Sequence, residues 1–337
     1  MEDSSSRHRR PPSMEDVAAI AGVSHQTVSR VLNSTGKVRP ETRERVLAAI
    51  AQIGYRRNET ARALATARSR VIGIITPTFQ HYGPASTLMS VQLAANDKGY
   101  LVSVAALPEF SPANLRRALE QFLGQGVAGI VLIVPVTEAA TELNKFSLPV
   151  PAIAISSSWV SEESTIARVG VEQRGGVRAA MLHLKEQGCQ VVSHFAGPSV
   201  WFDALEREAA WHEAIEEFGL TAGPIFRGDW TAAFGFAMAT EISRGKLPDA
   251  IFAANDQMAL GTLQAFAQKG IRLPDDVRLV GYDDEDASAY FYPSLTTVRQ
   301  NFSQLGYEAV DALIRQFDGQ KAENKLLPAE LRVRASA

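Results

Sequence analysis

Residues 14–33 read MEDVAAIAGVSHQTVSRVLN, with Ser13 immediately before them. Ser13-Met14-Glu15-Asp16 has the Ser-x-x-acid form of a capping box, so a helix is expected to begin at Met14. Val17, Ala18, Ile20 and Ala21 give that helix an apolar face, and Gly22 ends it. Val23 turns inward, and Ser24 can cap a second helix in which Val28, Val31 and Leu32 recur three to four residues apart. Two short helices joined by a tight Gly-containing turn form a helix-turn-helix. Pro40, favoured as a first helical residue, opens a third helix that carries Val46, Leu47, Ile50 and Ile53 to Gly54 and completes a small core.

The second helix presents His25, Gln26, Ser29 and Arg30 on the face opposite its apolar stripe. Gln can pair bidentately with adenine, Arg with guanine, and Ser or Thr can bind a base or a phosphate. A solvated polar face would account for such residues one at a time, but the combined pattern AxxAGVSxxTVSRVLN is far more specific. Charge points the same way. Residues 1–70 hold 13 Lys and Arg against 7 Asp and Glu, while the remaining 267 residues hold 21 against 30. A small basic unit joined to a large acidic one implies that only the first meets a polyanion. Beyond Tyr55-Arg56-Arg57, Asn58 can cap a segment running to Ala65, too short to be an isolated helix in water, so it should order only on a partner.

These residues carry a resemblance. The run Met14 to Ser24, then Thr27 to Asn33, Thr42-Arg43, Gly54-Tyr55, Asn58, Ala61 and Leu64 resembles the headpiece of the LacI/GalR family of bacterial transcription regulators. The resemblance implies DNA contacts by His25, Gln26, Thr27, Ser29, Arg30 and Asn33, with His25, Gln26 and Arg30 at base-reading positions. It also implies a hinge helix in which Asn58 and Ala61 lie on DNA and Leu64 enters the minor groove at the operator centre. An apolar wedge of that kind partly unstacks a base step and bends the duplex.

From Val71 onward, apolar runs alternate with amphipathic stretches. Strands are expected at 71–75, 128–134, 152–155, 250–254 and 277–281, and helices near 84–98, 112–123, 174–187, 204–218, 232–244, 257–269 and 302–317. Such alternation gives parallel sheets with helices on both faces, and this length suits two subdomains. Ligands of open parallel sheets bind at the strands' carboxyl ends. There the polar residues gather: Asn255-Asp256-Gln257, Tyr282-Asp283-Asp284, Gly228-Asp229-Trp230, and Arg207 in a nearby helix. Asp, Asn and Arg can grip neighbouring hydroxyls while an aromatic ring covers a sugar's apolar face. Polar residues at strand ends are also commonly mere caps, a reading that suits Asp256 and Asp284.

The family resemblance extends over about residues 13–330, through Ala254 to Gly261, Val280 to Asp284 and Leu295 to Gln300. It implies a periplasmic-binding-protein-like core of two doubly wound parallel-sheet subdomains behind the all-α headpiece. Its effector-pocket positions fall on Tyr82, Ser156, Asp203, Arg207, Trp230, Asn255, Gln257, Asp283 and Phe302. Ser156 stands where the pattern has an aspartate, and Asp203 where it has a serine. The implied effector is a small sugar or glycoside, and the implied partners are double-stranded, pseudo-palindromic operator DNA and a second copy of the chain. The expected organisation is a disordered tail (1–12), a helix-turn-helix domain (13–57), a hinge and linker (58–69), an effector and dimerisation domain (70–330) and a C-terminal tail (331–337). Within the large domain an N-subdomain takes about 70–168 and 300–330, and a C-subdomain about 169–299, with one crossing near Val169.

Several other readings are weak. Gly124-Gln125-Gly126-Val127-Ala128-Gly129 satisfies GxGxxG, but it ends a helix and opens a strand, the reverse of a dinucleotide fingerprint. Six histidines show no metal-ligand spacing, the single cysteine Cys189 cannot form an internal disulfide, and no nucleophile-base motif appears, so neither cofactor nor catalysis is expected. Adjacent Asp283 and Asp284 cannot both face one glycosidic bond. No stretch approaches the ~18 apolar residues of a membrane span, and MEDSSSRHRRPP has no apolar run, which makes the cytoplasm the expected compartment. No heptads follow Leu326-Leu327-Pro328, so the assembly expected is a dimer. The sequence supports an effector-controlled repressor; a corepressor-dependent regulator or a sugar-binding transport receptor shares the same core.

Overall fold

The computed structural model describes residues 12–33, 38–55, 69–77, 80–107, 111–137, 140, 143, 148–158 and 166–337. The chain divides into two compact units, residues 1–68 and 69–337.

The first unit holds α1 (Met14–Ala21), α2 (His25–Asn33) and α3 (Pro40–Ile53). The capping box forms as its residues demand: Ser13 Oγ accepts from the Asp16 amide at 3.3 Å, and the Ser13 amide donates to Asp16 Oδ2 at 2.7 Å. Gly22, with φ +63°, ends α1 in the left-handed region that only glycine enters freely. Ser24 accepts from the Thr27 amide, and Pro40 starts α3. Val17, Ala18, Ala21, Val28, Val31, Val46 and Ala49 make the core. Ile20 and Leu47, expected inside, lie one position off their helices' stripes and are about half exposed.

Among the described residues, the second unit contains two six-stranded sheets. The first runs β11-β5-β4-β3-β1-β2, all parallel, and comprises β1 (Val71–Thr76), β2 (Leu101–Ala106), β3 (Gly129–Ile133), β4 (Ala152–Ile155), β5 (Ala167–Glu172) and β11 (Lys325–Pro328). The second runs β12-β10-β9-β8-β6-β7 and comprises β6 (Val191–Ala196), β7 (Thr221–Arg227), β8 (Ala250–Ala253), β9 (Arg278–Asp283), β10 (Thr296–Arg299) and β12 (Glu330–Arg332), the last antiparallel to β10. Helices α4 (Tyr82–Asp97), α5 (Pro112–Gly124) and α10 (Phe302–Phe317) pack on the first sheet; α6 (Gln173–Glu186), α7 (Phe202–Glu217), α8 (Ala232–Glu241) and α9 (Asp256–Gln268) pack on the second. The continuous apolar runs of β3, β4 and β8 are buried throughout, as strands covered on both faces must be. Helices α8 and α9 approach so closely that a Cβ on Gly261 would meet the Ala232 carbonyl oxygen at 1.8 Å.

Three expectations need correction. Strand β5 stays in the first sheet through Glu172, so the chain crosses there and not near Val169, because Val169 and Val171 bury against the first lobe's core. Residues 331–337 are no tail: β12 adds an edge to the second sheet, and the buried Ser336 Oγ donates to the Leu279 carbonyl and accepts from the Thr296 amide. The expected helix 232–244 ends at Glu241, with a separate 3-10 turn at Arg244–Lys246. The GxGxxG stretch joins the end of α5 to the start of β3.

The lobes meet through more than their covalent crossings. Phe202, the first residue of α7, buries in an apolar cluster of the first lobe with Ile130, Leu132 and Val134. Its amide donates to the Pro135 carbonyl at 2.8 Å, and Val136 bridges Trp201 in antiparallel fashion.

Candidate functional site

On the headpiece, the buried Val28 and Val31 leave the opposite side of α2 to His25, Gln26 and Arg30, all exposed, with Thr27 and Ser29 half-buried beside them. Thr27 Oγ1 lies 3.0 Å from Ser24 Oγ at the helix start. The three outer side chains offer donors and acceptors on one short helical face, the equipment for reading base edges in a major groove. Asn33 ends α2, and its side chain lies outside the described residues, as do Asn58, Ala61 and Leu64.

The second site lies between the two lobes at the carboxyl ends of their strands. At its floor Arg207, only 2% exposed, projects from α7. Its Nε donates to Gln173 Oε1 at 2.9 Å and its Nη1 to the Ala254 carbonyl; Nη2 lies 3.7 Å from both Asp203 Oδ2 and Asp283 Oδ1. The Tyr282 ring covers the guanidinium at 3.7 Å from its centroid. A buried cation needs this much compensation. Gln173 Nε2 donates to Gln300 Oε1 at 3.1 Å, and Gln300 Nε2 to Asp283 Oδ1 at 2.7 Å. Arg207, Gln173, Gln300 and Asp283 thus close a ring. Gln173 follows β5 and Gln300 follows β10, so two ring members sit where the backbone crosses between lobes.

Around this ring stand the remaining walls. Asn255 caps α9 by accepting from the Met258 amide, while its Nδ2 donates to the Trp230 carbonyl at 2.9 Å. Trp230 is 6% exposed, and its indole Nε1 is buried without a hydrogen-bond partner among the described residues. Trp201 meets Trp230 edge-on at 5.8 Å and His81 at 5.3 Å; Tyr82 meets Phe302 at 5.7 Å. Ser157, on the first lobe, donates to Asp203 Oδ1, on the second, at 2.5 Å. The cleft has two adjoining parts, one lined largely by the first lobe and one around Arg207 and Trp230. Among the described residues, the non-glycine residues with positive φ are Trp230, Asp283 and Asp284, so backbone strain concentrates here. Burial pushes the Asp283 carboxyl up to about 8, with Arg207 and the Gln300 amide pulling the other way.

Of the pocket positions expected from sequence, Tyr82, Ser156, Asp203, Arg207, Trp230, Asn255, Asp283 and Phe302 line this cleft. Gln257 does not: its amide donates to Glu285 Oε2 at 2.6 Å. Ser156 turns its hydroxyl to the Ser158 carbonyl. Asp256 holds the lobe together, accepting from Thr297, Ser288 and the Glu285 amide, and burial pushes it up to about 7. Asp284 pairs with Arg334. His81, Trp201, Ser157, Gln173 and Gln300 also line or brace the cleft, without having been singled out by sequence. Trp201 carried a signal, an aromatic residue two positions before Asp203; Gln173 carried none. Among the described residues, no cluster of His, Cys, Asp or Glu is placed to hold a metal, and no helix is long and apolar enough to cross a membrane.

Comparison with known proteins agrees with this geometry. Residues 13–58 match the model of bacterial regulatory proteins of the lacI family, and residues 181–337 that of the periplasmic binding protein-like domain. The lactose operon repressor of Escherichia coli K12 is 34% identical over 96% of this chain and 89% of its own. The chain belongs to the LacI family of bacterial regulatory proteins. The crystal structure of the Lac repressor dimer bound to operator and the anti-inducer ONPF has a TM-score of 0.87 at 33% identity, covering 97% of this chain and 99% of that one. Another LacI-type relative, the transcriptional regulator CelR in complex with cellobiose, has a TM-score of 0.71 at 29% identity over 97% of this chain and all of its own. In LacI-family terms, the two units are the family's all-α DNA-binding headpiece and its two-lobed α/β core.

Proposed function

We propose that this chain is a transcriptional repressor whose affinity for a two-fold operator is set by a small sugar-like effector bound between the lobes. One observation carries the reading. A basic helix-turn-helix with an outward-facing polar helix precedes a cleft in which a buried ring of Arg207, Gln173, Gln300 and Asp283 spans the interlobe crossings. A polyol that bonds this ring from the cleft changes the relative stability of lobe arrangements, which is what an allosteric effector must do. Trp230 and Trp201 supply the apolar platforms, and a ligand oxygen would satisfy the Trp230 Nε1.

On the DNA side, His25, Gln26 and Arg30 read base edges, with Thr27, Ser29 and Asn33 completing the contact and Asn58, Ala61 and Leu64 ordering as a hinge on the duplex. Two headpieces are needed to read two half-sites. A dimer is supported by exposed apolar residues of the first lobe: Met89 and Leu93, one turn apart on α4, and Val104 on the edge strand β2.

The test is selection of DNA sites from a random duplex library by the full chain, followed by a panel of mono- and disaccharides scored by release of labelled operator. A two-fold site released by at least one sugar is expected. Selection of no sequence at all overturns the DNA reading, and a selected operator that no sugar releases or tightens overturns the effector reading. Asp283→Ala is expected to leave operator binding intact and to abolish the response to the sugar.

A further inference from the structure

The charges facing the cleft narrow the class of its ligand, an inference that rests on the sugar reading above. Among the described residues, Arg207 is the one guanidinium that lines it, alongside the carboxyls of Asp203 and Asp283 and the side chains of His81 and Tyr82. Its donors are already largely committed to the protein. Nε and Nη1 are bonded to protein oxygens, and Nη2 lies at the same 3.7 Å from each of two carboxyl groups. The next cation, Arg168, is directed to the Ser157 carbonyl at 3.2 Å and is absent from the cleft wall. Burial lowers the tendency of His81 to take a proton, and Asp229, exposed beside Trp230, adds further negative charge near that mouth.

An anionic group entering here would therefore meet the carboxylates of Asp203 and Asp229, and among the described residues it would gain no cation that the protein has not already engaged. Of the two acids flanking Arg207, Asp283 is 6% exposed and fixed by Gln300, whereas Asp203 has a side chain about a third exposed and borders both parts of the cavity. We infer that the cleft takes an uncharged sugar and refuses the phosphorylated or uronic form of the same sugar, and that Asp203 sets this preference. Asp203 is placed for the task by three contacts: its own helix α7, the Ser157 hydroxyl from the opposite lobe, and Arg207 one turn further along. Facing a ligand, its carboxylate accepts from hydroxyl groups and repels anions, and like charges brought together in a partly buried site cost enough to decide selectivity.

The experiment titrates the full chain calorimetrically with matched pairs: glucose and galactose against their 6-phosphates, glucose against glucuronate, and cellobiose and lactose as larger neutral probes. It is repeated on Asp203→Asn, which keeps an acceptor for Ser157 and removes only the charge. For at least one pair, the neutral member is expected to bind on the order of tenfold or more tightly than its anionic partner, and Asp203→Asn to narrow that ratio. The ratio is the readout, so a general weakening of the variant does not mimic the effect. An anionic sugar that binds as tightly as its neutral parent overturns the inference and leaves the sugar reading standing. An unchanged ratio in a folded Asp203→Asn protein overturns the role of Asp203. Absence of binding by every saccharide, charged or not, overturns the sugar reading and this inference with it.

Discussion

The headpiece and the cleft solve the problem of recognition in opposite ways. On α2, the side chains proposed to touch DNA stand outside a core made by other residues, so the fold does not depend on them. In the cleft, Arg207, Asn255, Asp283, Gln173 and Gln300 are all buried, and each is a hydrogen-bond partner of the structure that presents it. A surface reader can change its sequence preference by substitution with little effect on stability. A buried reader cannot, but in exchange a ligand that disturbs one member disturbs the segments that join the lobes. The difference suits one site to specificity and the other to switching.

The contrast is tested hardest at Arg207. Arg207→Leu strips Gln173 and the Ala254 carbonyl of a buried donor and opens the ring, so denaturant unfolding should show a loss of about 2–5 kcal/mol. A loss below about 1 kcal/mol would mean that the ring is ornamental. A pH series probes the same burial. Asp283 and Asp256 are raised to about 8 and about 7 in the folded chain, above the ordinary aspartate value near ~3.9. Across that interval the folded state holds protons that the unfolded state releases. Stability is therefore highest below about pH 4 for these two groups and is lost as pH rises toward 8. Asp283→Asn should flatten the upper part of this decline and Asp256→Asn the lower part. An unaltered slope in both variants would assign the decline to other groups.

How far the sequence alone discloses these features follows from the same division. The headpiece is local: its caps, turn glycines and apolar spacing lie within about forty residues, and the three helices begin and end where those signals stand. In the core, strands β1, β3, β4 and β8 announce themselves by apolar runs, and β9 by Leu279 and Val280 behind Val277. Strand β6 contains Ser193 and His194, and β10 contains Thr296 and Thr297, all fully or almost fully buried, and these polar residues interrupt the pattern that marks a strand. Their burial is offset by partners remote in sequence, such as Asp256 for Thr297 and Ser336 for the Thr296 amide. Edge strands β2, β7, β11 and β12 are partly exposed and carry a weak signal for the opposite reason. The cleft residues legible in sequence were those at strand ends. Gln173 escaped because a glutamine opening a helix is ordinary until a fold brings Gln300, 127 positions away, to its amide.

At Arg30 the contrast predicts a smaller effect, of another kind. Arg30→Ala should leave thermal unfolding within about 0.5 kcal/mol of the parent, as expected for an exposed side chain outside the core. It should weaken binding to the selected operator by about 1–3 kcal/mol and relax base preference at one position in each half-site. An equal loss on every DNA sequence would make Arg30 a phosphate contact.

The smallest effect tests whether the headpiece is truly independent of its own reading face. Ser13 caps α1, the helix that does not carry the proposed base contacts, and it sits at the far end of α1 from α2. Ser13→Ala leaves the Asp16 amide without its acceptor and the Asp16 carboxylate without the serine hydroxyl, while the Ser13 backbone amide still donates to Asp16. Loss of a cap of this type costs about 1 kcal/mol, within a range of roughly 0.5–2. Because Val17, Ala18 and Ala21 of α1 share their core with Val28 and Val31 of α2, that cost should appear as earlier melting of headpiece amides in hydrogen exchange. Operator affinity at saturating stability, well below the headpiece melting point, should fall by no more than a factor of two, with base preference unchanged. Altered base preference in Ser13→Ala would show that α1 and α2 are coupled beyond a shared core, and the separation between reading and folding drawn for this unit would then fail.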